Sequence, residues 1–297
     1  MLKRGLSQLL RDQVAYWLLA RIRGPAERRG MLKQPFAVPM NDLIGQRLIA
    51  TGNFELTQLD AVDQLLNDAM PLIGFRPDFR GAFIDVGANI GVYTTRYASA
   101  FTNTLAIEPN PATFHILQAN IALGRTSNVI PLLMGCTDQV GTGQLNVPVG
   151  GMLGWSRFGS DASWEKYPIE VPIDTLDNLV AKAALDRIAL LKIDVEGYEP
   201  QVLRGASNTL VEHCPVVLYE ALSNESARAS AELLRAAGYN HFVTFSRPLT
   251  LAGMLFGLSV AARTIEPSAL EHDRLICAFH QNANNSKKHM SSIPQSN

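Results

Sequence analysis

The first candidate site is the stretch FIDVGANIGVYT at residues 83–94. Apolar residues lead into Asp85, and Gly87, Asn89 and Gly91 follow at alternating positions. Glycine at a turn from a strand to a helix permits a positive φ or a close approach of the backbone to a ligand. A helix that begins here also points its free N–H groups at the bound molecule. The stretch therefore predicts a ligand-binding loop at the carboxyl end of a strand.

The residues around this loop favour a cationic nucleoside over a dinucleotide. The spacing is G-x-N-x-G, whereas a dinucleotide loop needs G-x-G-x-x-G, and Asp85 would repel a pyrophosphate but attract an ammonium group. Glu108 lies seventeen residues beyond Gly91, at the end of the next predicted strand, where an acid can accept hydrogen bonds from ribose hydroxyls. Asp138, just after the third predicted strand, is a candidate for the adenine amino group. S-adenosylmethionine (SAM), with its cationic tail and its ribose, is the predicted cosubstrate.

Five stretches together resemble the FkbM-like family of SAM-dependent methyltransferases. They are FIDVGANIGVYT, IEPNP at 107–111, QANIALG at 118–124, DTLDNL at 174–179 and LLKIDVEGYEPQVLRGA at 190–206. The resemblance covers about residues 80–245 and departs from the family pattern at Tyr198, where the family usually has a small residue. It implies a Rossmann-like class I fold with strand order 3-2-1-4-5-7-6 and the last strand antiparallel. It also implies methyl transfer to an oxygen of a small-molecule or glycan acceptor, often a sugar.

Such a transfer needs a group that removes the proton of the acceptor hydroxyl. Asp194 and Glu196 in KIDVEGYE share a parity along their strand, and Glu220 ends the next strand, PVVLYEA. Clustered carboxylates raise one another's pKa and can supply a base, so these three acids are the predicted catalytic residues. Two alternatives remain open: Mg²⁺ bound by the same oxygens, and a structural role at the start of the following helix.

The elements that must position these residues begin at residue 81. Seven apolar strands alternate with helical patterns, which predicts an α/β fold with a mostly parallel sheet and helices on both faces. The strands are GAFIDVG, TLAIEPN, VIPLLMGC, IALLKIDVEG, PVVLYEA, HFVTFSR and RLICAFHQ. Asn120, in the helix after the second strand, is expected to brace the first loop or to lie on the helix surface.

The predicted methyltransferase domain spans residues 81–281 and contains two insertions. The glycine-rich insertion at 139–172 is expected to form a hairpin and a loop over the ligand, with a disordered excursion as the alternative. The apolar insertion at 247–270 is expected to be a further lid or a subunit contact. The polar tail at 282–297 has the composition of a disordered segment.

Residues 1–80 are predicted to be mainly helical. Apolar residues recur at four-residue spacing between basic ones in the first 23 positions, which is typical of a basic amphipathic helix. This helix is expected to pack on the main domain or on a second subunit, as in a homodimer, and peripheral membrane contact is the alternative. No apolar stretch reaches the roughly 20 residues that cross a bilayer.

Composition narrows the class of protein. The chain has 297 residues, 47% of them hydrophobic, and a net charge of −1, which argues against a nucleic-acid partner bound by bulk charge. Its three cysteines lie far apart and suggest neither a zinc site nor a disulfide framework, so we expect a soluble, cytoplasmic protein. The rival to an enzyme is a non-catalytic adenosine-binding or scaffold protein with a degenerate site.

Overall fold

The computed structural model describes residues 35–51, 54–67, 77–150, 152–159, 165–246, 261–266 and 275–281. The basic helix predicted near the N-terminus, the polar tail and most of the second insertion lie outside these ranges. The described helices are α1 (Leu43–Thr51), α2 (Leu56–Leu66), α3 (Val92–Tyr97), α4 (Pro111–Gly124), α5 (Leu176–Ala183), α6 (Glu199–Arg204), α7 (Ser207–His213) and α8 (Asn224–Ala236). In this part of the chain, no helix is both long and apolar enough to cross a membrane.

Twelve strands lie in the same ranges and form two sheets. They are β1 (Ala82–Val86), β2 (Thr104–Glu108), β3 (Val129–Leu133), β4 (Gly135–Thr137), β5 (Gly141–Pro148), β6 (Arg157–Phe158), β7 (Lys166–Thr175), β8 (Ile188–Ile193), β9 (Val216–Glu220), β10 (Tyr239–Ser246), β11 (Ala261–Thr264) and β12 (Leu275–His280).

The main sheet has the order β11-β10-β12-β9-β8-β1-β2-β3. Five neighbouring strands of this sheet, β3, β2, β1, β8 and β9, are parallel. Strand β12 runs antiparallel to both of its neighbours. The seven predicted strands therefore occur in the predicted order, and the predicted α/β class I fold is confirmed. The edge strand β11 is an eighth strand that the sequence did not predict, because its four residues lie within the apolar insertion.

Ile84 and Val86 of β1 pack in a core that includes residues of α5 to α8. Phe83 faces the opposite core, together with residues of α2 and α3. The helix predicted at 56–70 is thus present as α2, and it packs on the sheet. The division of the chain into domains at residues 80 and 281 stays a prediction.

The glycine-rich insertion, together with β4 just before it, forms a second sheet of order β4-β7-β5-β6. Strands β5 and β7 pair antiparallel over eight residue pairs, from Gly141 with Ile173 to Pro148 with Lys166, which confirms the predicted hairpin. The predicted third strand, VIPLLMGC, is divided between the two sheets. Its first part is β3, and the chain then leaves the main sheet at Met134 to enter β4.

Asn120 of α4 is fully buried. It braces the first loop, which is one of the two roles expected for it, and does not lie on the helix surface. Its Nδ2 donates to the carbonyl oxygens of Ile90 at 2.7 Å and of Ala37 at 3.0 Å. Its Oδ1 accepts from the backbone N–H of Ala37. One amide therefore joins the N-terminal segment, α4 and the start of the loop helix.

We predict that Asn120→Ala lowers the free energy of unfolding by ~2–4 kcal/mol, because it leaves partly buried backbone groups without partners. Urea unfolding followed by circular dichroism measures this change. Gln118→Ala, at an exposed position of the same helix, is the matched control and should stay within about 0.5 kcal/mol of wild type. Equal stability of the two variants would contradict the bracing role.

Candidate active site

A cavity opens at the carboxyl ends of β1, β2 and β8, where ligands bind in open α/β sheets. Three groups of residues line it: the first loop, the ends of β2 and β8, and two covering segments from the N-terminal region and the insertion. The lining includes the loop residues Gly87 and Asn89 and the acids Glu55, Glu108, Asp194 and Glu196.

The first loop depends on glycine where two strands converge. Gly87 has a φ of 77°, and a Cβ atom there would collide with the carbonyl oxygen of Asp194 at the end of β8. Gly91 precedes α3 with a φ of 88°, and a Cβ there would press on Leu117 of α4. The loop is therefore glycine-rich because of close packing by its neighbours, as well as its place at the cavity.

Asp85 lies beneath the loop and does not line the cavity. Its side chain is completely buried, its Oδ2 accepts from the Thr94 hydroxyl at 2.6 Å, and its Oδ1 lies 3.3 Å from the Lys192 ammonium. The parallel register places Asp85 directly beside Lys192 of β8. Asp85 is thus paired with a cation of the protein, Lys192, and not exposed to the cavity. The predicted direct contact between Asp85 and a ligand ammonium is therefore absent from this geometry.

Lys192 joins the two halves of the site. Its ammonium lies 3.5 Å from Asp194 Oδ2, 3.5 Å from the carbonyl oxygen of Gly87 and 4.7 Å from the centre of the Tyr93 ring. Burial alone would lower the pKa of Lys192, but the charges of Asp85 and Asp194 outweigh it and raise that pKa. The lysine is therefore a permanent cation between the loop and the acids of β8.

Glu108 ends β2 and lines the cavity as the sequence predicts. Its Oε1 accepts from the Asn110 backbone N–H and the Thr113 hydroxyl, each at 2.8 Å. Its Oε2 accepts from the Asn89 backbone N–H at 2.9 Å. Burial raises the pKa of this carboxyl although the three hydrogen bonds oppose that shift. Glu108 thus orders the loop through Asn89, whose own backbone has a φ of 51°.

Asp138 lies outside the cavity, which corrects its predicted contact with adenine. Its Oδ2 accepts from the Arg204 guanidinium at 2.9 Å, on the side of α6. The reason is the division of the third predicted strand, because β4 carries this part of the chain into the second sheet. Cys136 of β4 lines the cavity in its place.

Two of the three predicted catalytic acids meet at the cavity. Asp194 and Glu196 line it, whereas Glu220 at the end of β9 does not. Burial and then the charge of Asp194 are the main causes that raise the pKa of Glu196 to about 8, and Glu220 adds to them. Glu196 therefore exchanges its proton near neutral pH, as a general base must.

The sequence of this cavity region matches one family model. Residues 85–240, just over half of the chain, match the model described as the methyltransferase FkbM domain. The chain belongs to the FkbM methyltransferase family. The resemblance that the motifs predict is thereby confirmed.

Relatives of known name are similar over part of their length. Hexuronic acid methyltransferase AglP of Haloferax volcanii is 32% identical over 128 residues, which are 42% of this chain and 50% of that protein. Methyltransferase 1 of Beauveria bassiana is 26% identical over 186 residues, 52% of this chain and 71% of that protein. The FkbM methyltransferase of Methylobacillus flagellatus KT has a similar structure, with 16% identity and a TM-score of 0.43 over 92% of this chain and 60% of that one.

One motif of the FkbM resemblance, DTLDNL, has a structural role. Asp174 accepts from Thr175, Asn178 and Lys182 around the start of α5. Asp177 accepts from the backbone N–H groups of residues 208 and 209 at the start of α7. These acids order two helices away from the cavity.

Two further residues of the cavity come from the N-terminal region, which the sequence predicts to be mainly helical. Glu55 lines the cavity, and its Oε2 accepts from the Tyr93 hydroxyl at 2.9 Å. Asp42 also lines the cavity, and its Oδ2 accepts from the backbone N–H of Leu153 in the insertion at 2.7 Å. No local motif marks either acid, because only the tertiary fold brings residues 42 and 55 to the strand ends.

The residues that the structure describes give no support for a metal site. Within the described ranges, no group of three or more His, Cys, Asp or Glu side chains is arranged to hold a metal ion. The Mg²⁺ alternative therefore has no ligand set among these residues.

We predict that Lys192→Met lowers the free energy of unfolding by about 3–5 kcal/mol, because it leaves the buried Asp85 without its cation. The midpoint of urea unfolding measures the loss. The double variant Asp85→Asn/Lys192→Met removes both charges and should recover part of it, as coupled partners do. Additive losses in the double variant would contradict the coupling.

Proposed function

We propose that this protein is a SAM-dependent O-methyltransferase whose acceptor is a hydroxyl of a small polar molecule, such as a sugar on a glycan precursor or a glycosylated metabolite. Membership of the FkbM family supports methyl transfer, and one relative is by name a hexuronic acid methyltransferase. The observation that carries the proposal is the single cavity lined by both Glu108 and Glu196. This cavity combines Glu108, an acid that can accept hydrogen bonds from a ribose, with Glu196, a carboxylate that can take a proton.

The residues of the cavity fit SAM. Glu108 Oε2 accepts one hydrogen bond, from Asn89, and a carboxylate oxygen can accept a second, so it can receive a ribose hydroxyl. Gly87 and Asn89 of the first loop line the same cavity and would lie along the bound nucleoside. When bound, SAM supplies a methyl group on a positively charged sulfur. Other carboxylates that line the cavity can compensate the positive charge of that sulfur.

The protein's own part in the transfer is to orient the acceptor and to take its proton. In the proposed mechanism, Glu196 as a carboxylate would receive the proton of the acceptor hydroxyl while that oxygen forms its bond to the methyl carbon. The bond between this carbon and the sulfur would break in the same step, and S-adenosylhomocysteine would leave as the neutral thioether. Asp194, held by Lys192 at 3.5 Å, accepts a hydrogen bond from the acceptor and orients it. Glu220 contributes through its negative charge, which raises the pKa of Glu196 from outside the cavity.

Glu196→Gln is expected to lower kcat by about 10²–10⁴-fold, the usual contribution of a general base, and to leave the Kd for SAM within about twofold. Steady-state kinetics measures kcat, and calorimetric titration measures the Kd for SAM. Glu170→Gln, an exposed acid on β7, is the matched control and should match wild type. Full activity of Glu196→Gln would remove this residue from the mechanism.

The pH dependence of kcat follows from the same carboxyl. The pKa of Glu196 is raised to about 8, and only the deprotonated form accepts a proton. We therefore expect kcat to rise between pH 7 and pH 9 and then to level off, and this rise should be absent from the residual activity of Glu196→Gln. A flat profile in the wild type would contradict the assignment.

The cosubstrate is tested by isothermal titration with SAM, S-adenosylhomocysteine and NAD in parallel. We expect micromolar binding of both sulfur ligands and none of NAD, because the loop lacks the glycine spacing for a pyrophosphate. If neither sulfur ligand bound, the proposed function would fail. Binding without turnover over a panel of sugar acceptors would favour the scaffold alternative.

A further inference from the structure

We propose that Glu55, in the turn before α2, binds the ammonium group of the amino-acid tail of SAM. This role rests on the proposed function, because it concerns the same cosubstrate in the same cavity. It also makes the N-terminal region part of the binding site, although that region lies before residue 85, where the match to the family model begins.

The ammonium group of the tail needs an acid at the cavity, and several acids there already have partners within the protein. Asp85 is buried against Lys192 and does not reach the cavity. The two oxygens of Asp42 accept from the backbone N–H groups of Ile44 and Leu153. Glu108 accepts three hydrogen bonds. These partners stabilise the charges of Asp42 and Glu108, so neither acid needs a further cation.

Glu55 differs from the remaining acids in its partners. Asp194 lies 3.5 Å from the Lys192 ammonium, which compensates its charge in part. The hydrogen bond to Glu55 comes from Tyr93, a neutral hydroxyl. Burial and the charge of Asp194 raise the pKa of Glu55 to about 8 although Lys192 opposes them. A ligand cation would supply the charge compensation that the neutral Tyr93 hydroxyl does not give this carboxylate.

The backbone at Glu55 supports a role for its side chain. Its φ of 49° and ψ of 43° are left-handed, a conformation that costs a residue with a Cβ roughly 1–2 kcal/mol. The side chain makes no capping hydrogen bond to α2; it lines the cavity and bonds to Tyr93. Strained backbone of this kind clusters at ligand sites, where the surrounding structure maintains it.

The positions of the acids match a ligand with two different ends. Glu108 ends β2, and Asp194 follows β8, on opposite sides of β1 in the sheet. Glu55 lies on the β8 side, because it accepts from the Tyr93 hydroxyl at 2.9 Å and the Tyr93 ring lies 4.7 Å from the Lys192 ammonium of β8. A ligand that reached from Glu108 to Glu55 would therefore cross the end of β1 at Gly87. A nucleoside with a cationic tail has a hydrogen-bonding diol at one end and a positive charge at the other.

The test compares two ligands that differ in the tail. S-adenosylhomocysteine has the amino-acid tail, whereas 5′-methylthioadenosine retains the nucleoside and lacks the tail. In calorimetric titrations of the full chain, Glu55→Gln should weaken S-adenosylhomocysteine binding about tenfold or more, the usual effect of losing a charge-assisted hydrogen bond. Binding of 5′-methylthioadenosine should change by less than about twofold. Gln keeps the acceptor for Tyr93, and Glu55→Asp, which keeps the charge one methylene further back, should give an intermediate loss.

The matched control is Asp60→Asn, which removes an acid of α2 that does not line the cavity, and it should bind both ligands as the wild type does. Equal affinity of wild type and Glu55→Gln for S-adenosylhomocysteine would overturn the role of Glu55 and leave the proposed function intact. A parallel loss of both ligands in Glu55→Gln would show a structural effect and would also overturn it. Failure of the wild type to bind either ligand would overturn the proposed function itself.

Discussion

The ion pair between Lys192 and Asp85 joins the carboxyl ends of β1 and β8 beneath the cavity. Both side chains are almost completely buried, and removing two charges from water is costly unless further groups compensate them. The Gly87 carbonyl, the carboxylate of Asp194 and the face of the Tyr93 ring provide that compensation. The first loop and the acids after β8 therefore hold their positions through one lysine. This arrangement also explains why Gly87 has no side chain, because its Cβ would strike the backbone at Asp194.

Above this pair, the cavity concentrates negative charge where β8 ends. Glu55 and Glu196 both have a pKa raised to about 8, with burial as the first cause and the charge of Asp194 as the second. Such acids lose their protons as the pH rises through about 8, and the carboxylates then gain from a nearby cation and can accept a proton. A cationic cosubstrate and a hydroxyl acceptor use these two properties. The proposed transfer thus depends on acids that are crowded together and partly shielded from water.

Segments that are distant in the sequence close the cavity. Asp42 of the N-terminal region accepts from Leu153 of the insertion, across 111 positions of the chain. In addition, the Nδ2 of Asn110 donates to the Ser156 hydroxyl at 2.9 Å and ties the insertion to the start of α4. Asn120 holds the segment at Ala37 against the same helix. Specific hydrogen bonds therefore hold the N-terminal segment and the insertion over the strand ends. Substitutions in either segment should affect ligand binding.

The sequence alone determined seven strands of the main sheet and, by family resemblance, their order, because apolar runs and turn residues are local signals. It also placed the acids Glu108, Asp194 and Glu196 at or just after the strand ends. The tertiary structure decided which acids reach the cavity. Asp85 does not reach the cavity because the strand register places it beside Lys192. Asp138 does not reach it because β4 leaves the main sheet. Glu55 is added by the packing of α2 on the sheet. Each outcome depends on contacts between residues far apart in the chain, and a local pattern carries no record of these contacts.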